Sequence, residues 1–182
     1  MKIAVYCSSS KNIAEEYKDF AFQLGEMLAA EGHTLVYGGA TGGLMDSIAE
    51  GFASENAEII GVITEAIIQM GRESKLPTQM IRTANMSERK EHMREEADVF
   101  VVLPGGYGTW DEMFDVVASG TVGEHKKPLI CINAFGYYND LMAQIEKMST
   151  LAFAPKHQSY KAHFVETAEA CVELISSNFS SK

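Results

Sequence analysis

Hydrophobic and polar positions along this chain fall into two alternating regimes. Short, nearly unbroken apolar runs are separated by longer stretches in which apolar residues recur every three or four positions. The runs KIAVYC (2–7), HTLVYGG (33–39), AEIIGVI (57–63), QMIRTA (79–84), DVFVVL (98–103) and PLICIN (128–133) read as strands. Phe20, Leu24, Met27 and Leu28 lie at helical spacing and predict a helix over about 13–31. Further helices are expected over 44–54, 65–69, 109–119, 137–148 and 167–177, and from a cap at Ser87 to Ala97. Pro77 punctuates the polar loop between the third and fourth strands.

Strands that alternate with helices need crossover connections, and near-continuous apolar strands need cover on both faces. The expected fold is therefore α/β, a Rossmann-like doubly wound parallel sheet with helices on both faces. No repeat or low-complexity linker breaks the pattern. Residues 1–178 are expected to form one domain and 179–182 a flexible tail.

Composition narrows the partners. The 182 residues carry a net charge of −10, with 46% hydrophobic and 22% charged residues, as in an ordinary globular chain. An acidic chain repels phosphate backbones, so neither nucleic acid nor an anionic membrane surface is an expected partner. No apolar run approaches the ~18–20 residues of a membrane span. The opening MKIAVYC reads as a strand, being too short for a signal-peptide core. Cys7, Cys131 and Cys171 are widely spaced and form no CxxC pair. They read as free, reduced, mostly buried thiols of a cytoplasmic protein. The five histidines form no ligand pattern, and His92 with Glu96 reads as helix surface, so no metal is expected.

In a doubly wound sheet, ligands bind beyond the carboxyl ends of the strands. Three strands end there in small, donor-rich turns: CSSS (7–10), GGATGG (38–43) and PGGYGT (104–109). Glycine lets backbone approach a ligand closely. A turn that feeds a helix N-terminus aims free N–H groups at an anion, with the helix dipole behind them. Three such turns on one sheet edge point to an anionic ligand. Neither GxGxxG nor GxxxxGK[ST] is present, which disfavours a dinucleotide or triphosphate and a nicotinamide-dependent oxidoreductase. The layout suits a mononucleotide.

Two local features bear on chemistry. In NMSERKEHMREEAD (85–98), Arg89 and Lys90 fall in the first turn of a helix, where cations oppose the dipole. A local rule broken at a strand's carboxyl end marks a functional candidate, although a solvated helix with Glu91–Arg94 pairing is the plainer reading. The stretch Thr109-Trp110-Asp111-Glu112 fits the capping box S/T-x-x-E. On these residues alone, Glu112 reads equally as a helix cap or as an active-site acid. Cys7, Tyr137 and Tyr138 read as packing, and Trp110 as packing or subunit interface.

MSERK (86–90), followed after seven residues by DVFVVLPGGYGTWDE (98–112), resembles the Lonely Guy family, whose signature is MxxRK and then PGGxGTxxE. IAVYCSSS, LVYGGATGGLM, IIGVI and GEHKKPLICIN with FGYYNDL extend the resemblance over nearly the whole chain. It implies a phosphoribohydrolase that cleaves a nucleoside 5′-monophosphate, typically a cytokinin riboside monophosphate, into free base and ribose 5-phosphate. It implies a homodimer, a small-molecule nucleotide substrate, and no metal or cofactor. Many members carry an older description as lysine decarboxylases, for which no pyridoxal-phosphate lysine motif is recognisable here.

The resemblance assigns catalysis to Arg89 and Glu112. It assigns phosphate and ribose binding to Ser9, Gly39, Lys90, Gly105, Gly106, Gly108 and Thr109, and the base pocket to Met86. Thr109 is expected to cap its helix as well. The chain departs from the family pattern at Ser8, Ala40 and Gly42, and VASGT (117–121) lacks a Trp and a Gln that are frequent there. These departures touch base preference, which makes AMP or another purine monophosphate a candidate for a better substrate than a cytokinin nucleotide. The alternative is a non-catalytic nucleotide or molybdenum-cofactor carrier, which shares a PGGxGT-like turn and does not require the Arg89/Glu112 pair.

Overall fold

The computed structural model describes residues 1–154 and 160–179. Among them, seven strands form one sheet: β1 (Lys2–Tyr6), β2 (Thr34–Tyr37), β3 (Ile59–Thr64), β4 (Gln79–Thr83), β5 (Val99–Val102), β6 (Leu129–Ile132) and β7 (Ala162–Val165). Every ladder is parallel, and the strand order is β4-β3-β2-β1-β5-β6-β7. The helices are α1 (Glu15–Ala30), α2 (Gly43–Ser54), α3 (Glu65–Gln69), α4 (Met86–Glu96), α5 (Tyr107–Thr121), α6 (Asn139–Thr150) and α7 (Ala168–Asn178). None of them is long and apolar enough to cross a membrane.

The strand residues alternate between two cores, as the period of two demands. Ile3, Val5, Leu35, Tyr37, Val99 and Val101 face α1, α2 and α7. Ala4, Tyr6, Val36, Phe100 and Val102 face α4, α5 and α6. This double burial is why the strands read as unbroken apolar runs. From β1 the chain winds outward to β4, and α4 then returns it to β5 on the other side of β1. The winding direction reverses between β1 and β5, so the crevice at their carboxyl ends is the place for a ligand.

The expected doubly wound sheet is the one observed, and local differences have physical causes. β7 was not expected. It is a half-exposed edge strand, paired on one side only and carrying His163, so it lacks the apolar continuity of the others. The helix expected over 137–148 is α6, shifted by two residues and preceded by a 3-10 turn (Ala134–Gly136) that was not expected. Within the expected tail, half-buried Phe179 packs against the core and sets its ring edge against His163 at 5.8 Å. Residues 180–182 lie outside the described residues. Cys7, Cys131 and Cys171 are free and buried.

Candidate active site

The three glycine- and serine-rich turns meet at the β1/β5 crevice and brace one another. The turn after β1 lies in the middle. Leu44 N donates to Ser8 O (2.9 Å), and Ser8 N donates to Pro104 O (3.3 Å). Gly42, at φ 118°, passes so close that a Cβ there would sit 2.5 Å from Ser9 O. That contact accounts for a glycine at this departure from the family pattern. Asp46 secures the same turn by accepting from Thr41 Oγ1 (2.9 Å) and Gly42 N (2.7 Å).

The third turn leads into α5, and here the capping expectation fails. Gly106 is the N-cap, and no side chain caps the helix. Thr109 is instead the third residue of α5, 3% exposed. It is packed so tightly on Gly105 that a Cβ there would lie 2.1 Å from Thr109 Oγ1. The box does not form because the N-cap is Gly106, three residues before the hydroxyl. The uncapped first turn leaves orphan N–H groups for a ligand. Tyr137 Oη donates to Gly105 O (2.9 Å) and Tyr138 Oη to Leu103 O (2.8 Å), so both tyrosines hold this turn in place.

α4 brings the cation. Its N-cap is Asn85 rather than Ser87: Asn85 Oδ1 accepts from Glu88 N (3.0 Å), and Glu88 Oε2 accepts from Ala84 N (2.7 Å). Arg89 is thereby aimed inward across the strand ends. Its Nε donates to Val62 O (2.8 Å) and its Nη1 to Glu112 Oε1 (2.6 Å). Gly38 leaves the room for this, since a Cβ there would meet Arg89 Nη2 at 2.2 Å. The two charged side chains are 3% and 4% exposed. Burial pushes the Glu112 carboxyl above its ordinary range, and the adjacent guanidinium pulls it partly back.

Arg89 and Glu112 form part of the wall of a cleft of about 510 Å³. Ser9, Gly106, Gly108, Thr109 and Met86 of the expected site also line it. Three expected residues do not. Gly39, at φ 64°, packs on Met80 and Ile63. Gly105 faces a smaller cavity on the other side of its turn. Lys90 pairs with Asp111 (2.8 Å) and Asp115 (3.5 Å), tying α4 to α5 beside an Arg94–Asp115 ion pair. Lys11 and Arg72 line the cleft and were not anticipated; Arg72 sits in a polar loop with no motif around it. Burial pushes the Cys7 thiol well up, so it lines the cleft as a neutral group.

Residues 45–175 match the family described as "Possible lysine decarboxylase". A probable cytokinin riboside 5′-monophosphate phosphoribohydrolase of Oryza sativa subsp. japonica is 37% identical over 171 residues, covering 93% of this chain and 74% of that protein. A cytokinin riboside 5′-monophosphate phosphoribohydrolase of Arabidopsis thaliana is 33% identical over 174 residues, covering 96% and 80%. Among solved structures, a molybdenum cofactor binding protein from Rippkaea orientalis superposes with TM-score 0.73 at 24% identity, covering 97% of this chain and 95% of that one. The molybdenum cofactor carrier protein of Chlamydomonas reinhardtii superposes with TM-score 0.72 at 19% identity, covering 96% and 95%. At these identities the structural likeness concerns the fold alone.

Proposed function

The chain belongs to the Lonely Guy family, and from that premise we propose that it hydrolyses the N-glycosidic bond of a nucleoside 5′-monophosphate, AMP or a cytokinin riboside monophosphate. The products are the free base and ribose 5-phosphate. The observation that carries the reading is the buried Arg89–Glu112 pair set in one cleft with the uncapped N-terminus of α5.

Breaking the bond leaves its electron pair on the base nitrogen and positive charge on the ribose ring; water supplies hydroxide to C1′ and a proton to the base. Oε1 of Glu112 is held by Arg89. Its second oxygen is the one left to meet the ribose hydroxyls or the attacking water and to stabilise the cationic ring, by the carboxylate logic of glycosidases. Arg89 is a poor proton donor because its pKa is so high. Its role is to orient Glu112 and stabilise charge on the departing base. The 5′-phosphate sits at the first turn of α5, at Gly106, Gly108 and Thr109, with Ser9 opposite. Met86 borders the base. Gly39 and Gly105 shape the turns behind this surface, and Lys90 holds α5 in register with α4.

The unit that does this is a nucleotide-binding domain over residues 1–178. A homodimer is supported by Tyr107, Trp110 and Phe114 on one side of α5, which are 96%, 38% and 40% exposed. Three free buried thiols suit a reducing cytoplasm. A carrier without catalysis would bind nucleotide and leave it intact. Incubation with a panel of nucleoside monophosphates, following free base by chromatography, separates the two. Base release from at least one member is expected, and release from none would sink the hydrolase reading.

A further inference from the structure

We propose that Arg72, together with Lys11, lines the phosphate subsite at α5 and selects nucleotides over nucleosides. The proposal rests on the nucleotide-hydrolase reading above and adds to it two residues that the family motifs do not contain.

Arg72 Nη2 donates to Ser9 Oγ at 2.7 Å, so its guanidinium reaches from the loop after α3 to the turn after β1. Its backbone is pinned at both ends. Arg72 N donates to Ile67 O (3.3 Å), and Arg72 O accepts from Thr41 N (2.8 Å). The next residue joins the same brace, since Glu73 forms an isolated bridge with Ala40. Arg72 is therefore held across the second and first turns at once, half-buried, with its head in the cleft.

Its charge is not spent within the protein. Among the described residues, no carboxylate lies within ion-pair distance of Arg72. The nearby acids are engaged elsewhere: Glu73 with Arg82 (3.1 Å), Asp46 with Thr41 and Gly42, and Glu112 with Arg89. A guanidinium has five N–H donors in a planar fork suited to phosphate, and the Ser9 hydroxyl neutralises none of its charge. Lys11 borders the same cleft and likewise pairs with no carboxylate among the described residues. Two unspent cations lining one cleft, in a chain of net charge −10, are placed for an anion. Gly106, Gly108 and the open first turn of α5 line the same cleft. A ribose 5′-phosphate held there would take charge-assisted bonds from the cations and amide bonds from the helix.

The test uses ribose 5-phosphate, which binds without being turned over, and calorimetry on the wild type and on Arg72→Gln, Arg72→Lys and Lys11→Ala. Loss of charge-assisted hydrogen bonds predicts about 10- to 100-fold weaker binding for Arg72→Gln. Arg72→Lys should recover part of it, and Lys11→Ala should weaken binding by less. With AMP, Arg72→Gln should raise KM while kcat stays within about threefold, so that the preference for AMP over adenosine shrinks. Ribose 5-phosphate binding within twofold of wild type in Arg72→Gln overturns the proposal. So does equal weakening in both Arg72 variants with a drop in melting temperature, because that marks a structural brace. A wild type that binds ribose 5-phosphate through Arg72 yet releases no base from any nucleotide would keep this subsite and sink the hydrolase reading instead.

Discussion

At the residue scale, everything turns on Glu112. Within its own stretch it had two equal readings, decided for catalysis by the resemblance that Arg89 and Lys90 carry, and no local pattern separates an acid that caps a helix from one that faces a substrate. What separates them is where α5 begins and where Arg89 points, and both are set by tertiary contacts. The helix starts at Tyr107, so Thr109 cannot cap it, and Glu112 is bonded to Arg89 instead. The stability prediction changes accordingly. A lost cap costs about 1 kcal/mol. Breaking a buried pair by removing one partner costs about 3–5 kcal/mol, because the other charge is left uncompensated. Glu112→Gln keeps an acceptor for Arg89 and should fall between these limits in a denaturant titration. A cost near zero would mean the pair is not buried in solution. The carboxyl itself can be followed by carbon-13 NMR. Burial raises it above the 4.5 of an ordinary glutamate, so the working anion is lost as pH falls through a value higher than that. One glutamate signal, absent in Glu112→Gln, should titrate above 4.5; a midpoint at or below it contradicts the burial argument.

At the element scale, seven helices and six of the strands were read with the right type: the strands from apolar runs, the longer helices from their period, and the polar α4 (MSERKEHMREE) from a cap signal instead. The seventh strand was not. Ala162–Val165 is a half-exposed edge strand, and its pairing with β6 is a long-range fact that no window of residues contains. Caps were the weakest part: α4 is capped by Asn85 rather than Ser87, and α5 by backbone alone. Among the site residues, Ser9, Gly106, Gly108 and Thr109 line the cleft, whereas Lys90 is spent on Asp111 and Asp115. Arg72 was invisible because a loop arginine has no periodicity to betray its direction. The turns depend on how closely α1 and α2 cross, since α2 begins at the second turn. A Cβ on Gly51 would lie 2.3 Å from Phe22 O, and backbone cannot step aside. Gly51→Ala should therefore destabilise by about 1–3 kcal/mol, lowering the melting temperature by several degrees. An unchanged melting temperature would mean the two helices are free to part.

At the scale of the whole molecule, a chain of net charge −10 concentrates cationic and amide donors in one crevice at the point where the sheet reverses its winding. Fold class was evident from the alternation of strands and helices, but the fold alone does not decide between a hydrolase and a carrier. Proteins that superpose well on this one include molybdenum cofactor binders. The exposed side of α5 bears on assembly. If Tyr107, Trp110 and Phe114 meet a second copy, Trp110→Glu with Phe114→Glu should halve the mass seen by light scattering; an unchanged mass places the interface elsewhere. Chemistry is decided by turnover. The most direct measurement is free-base release from AMP and a panel of other nucleoside monophosphates by the wild type and by Glu112→Gln, with both proteins confirmed folded by circular dichroism. The wild type should release free base and ribose 5-phosphate, and the variant should be slower by about 10²–10⁴-fold, the range typical of a positioned acid–base group. Cleavage of no member of the panel, or folded Glu112→Gln working within tenfold of the wild type, would contradict the assignment.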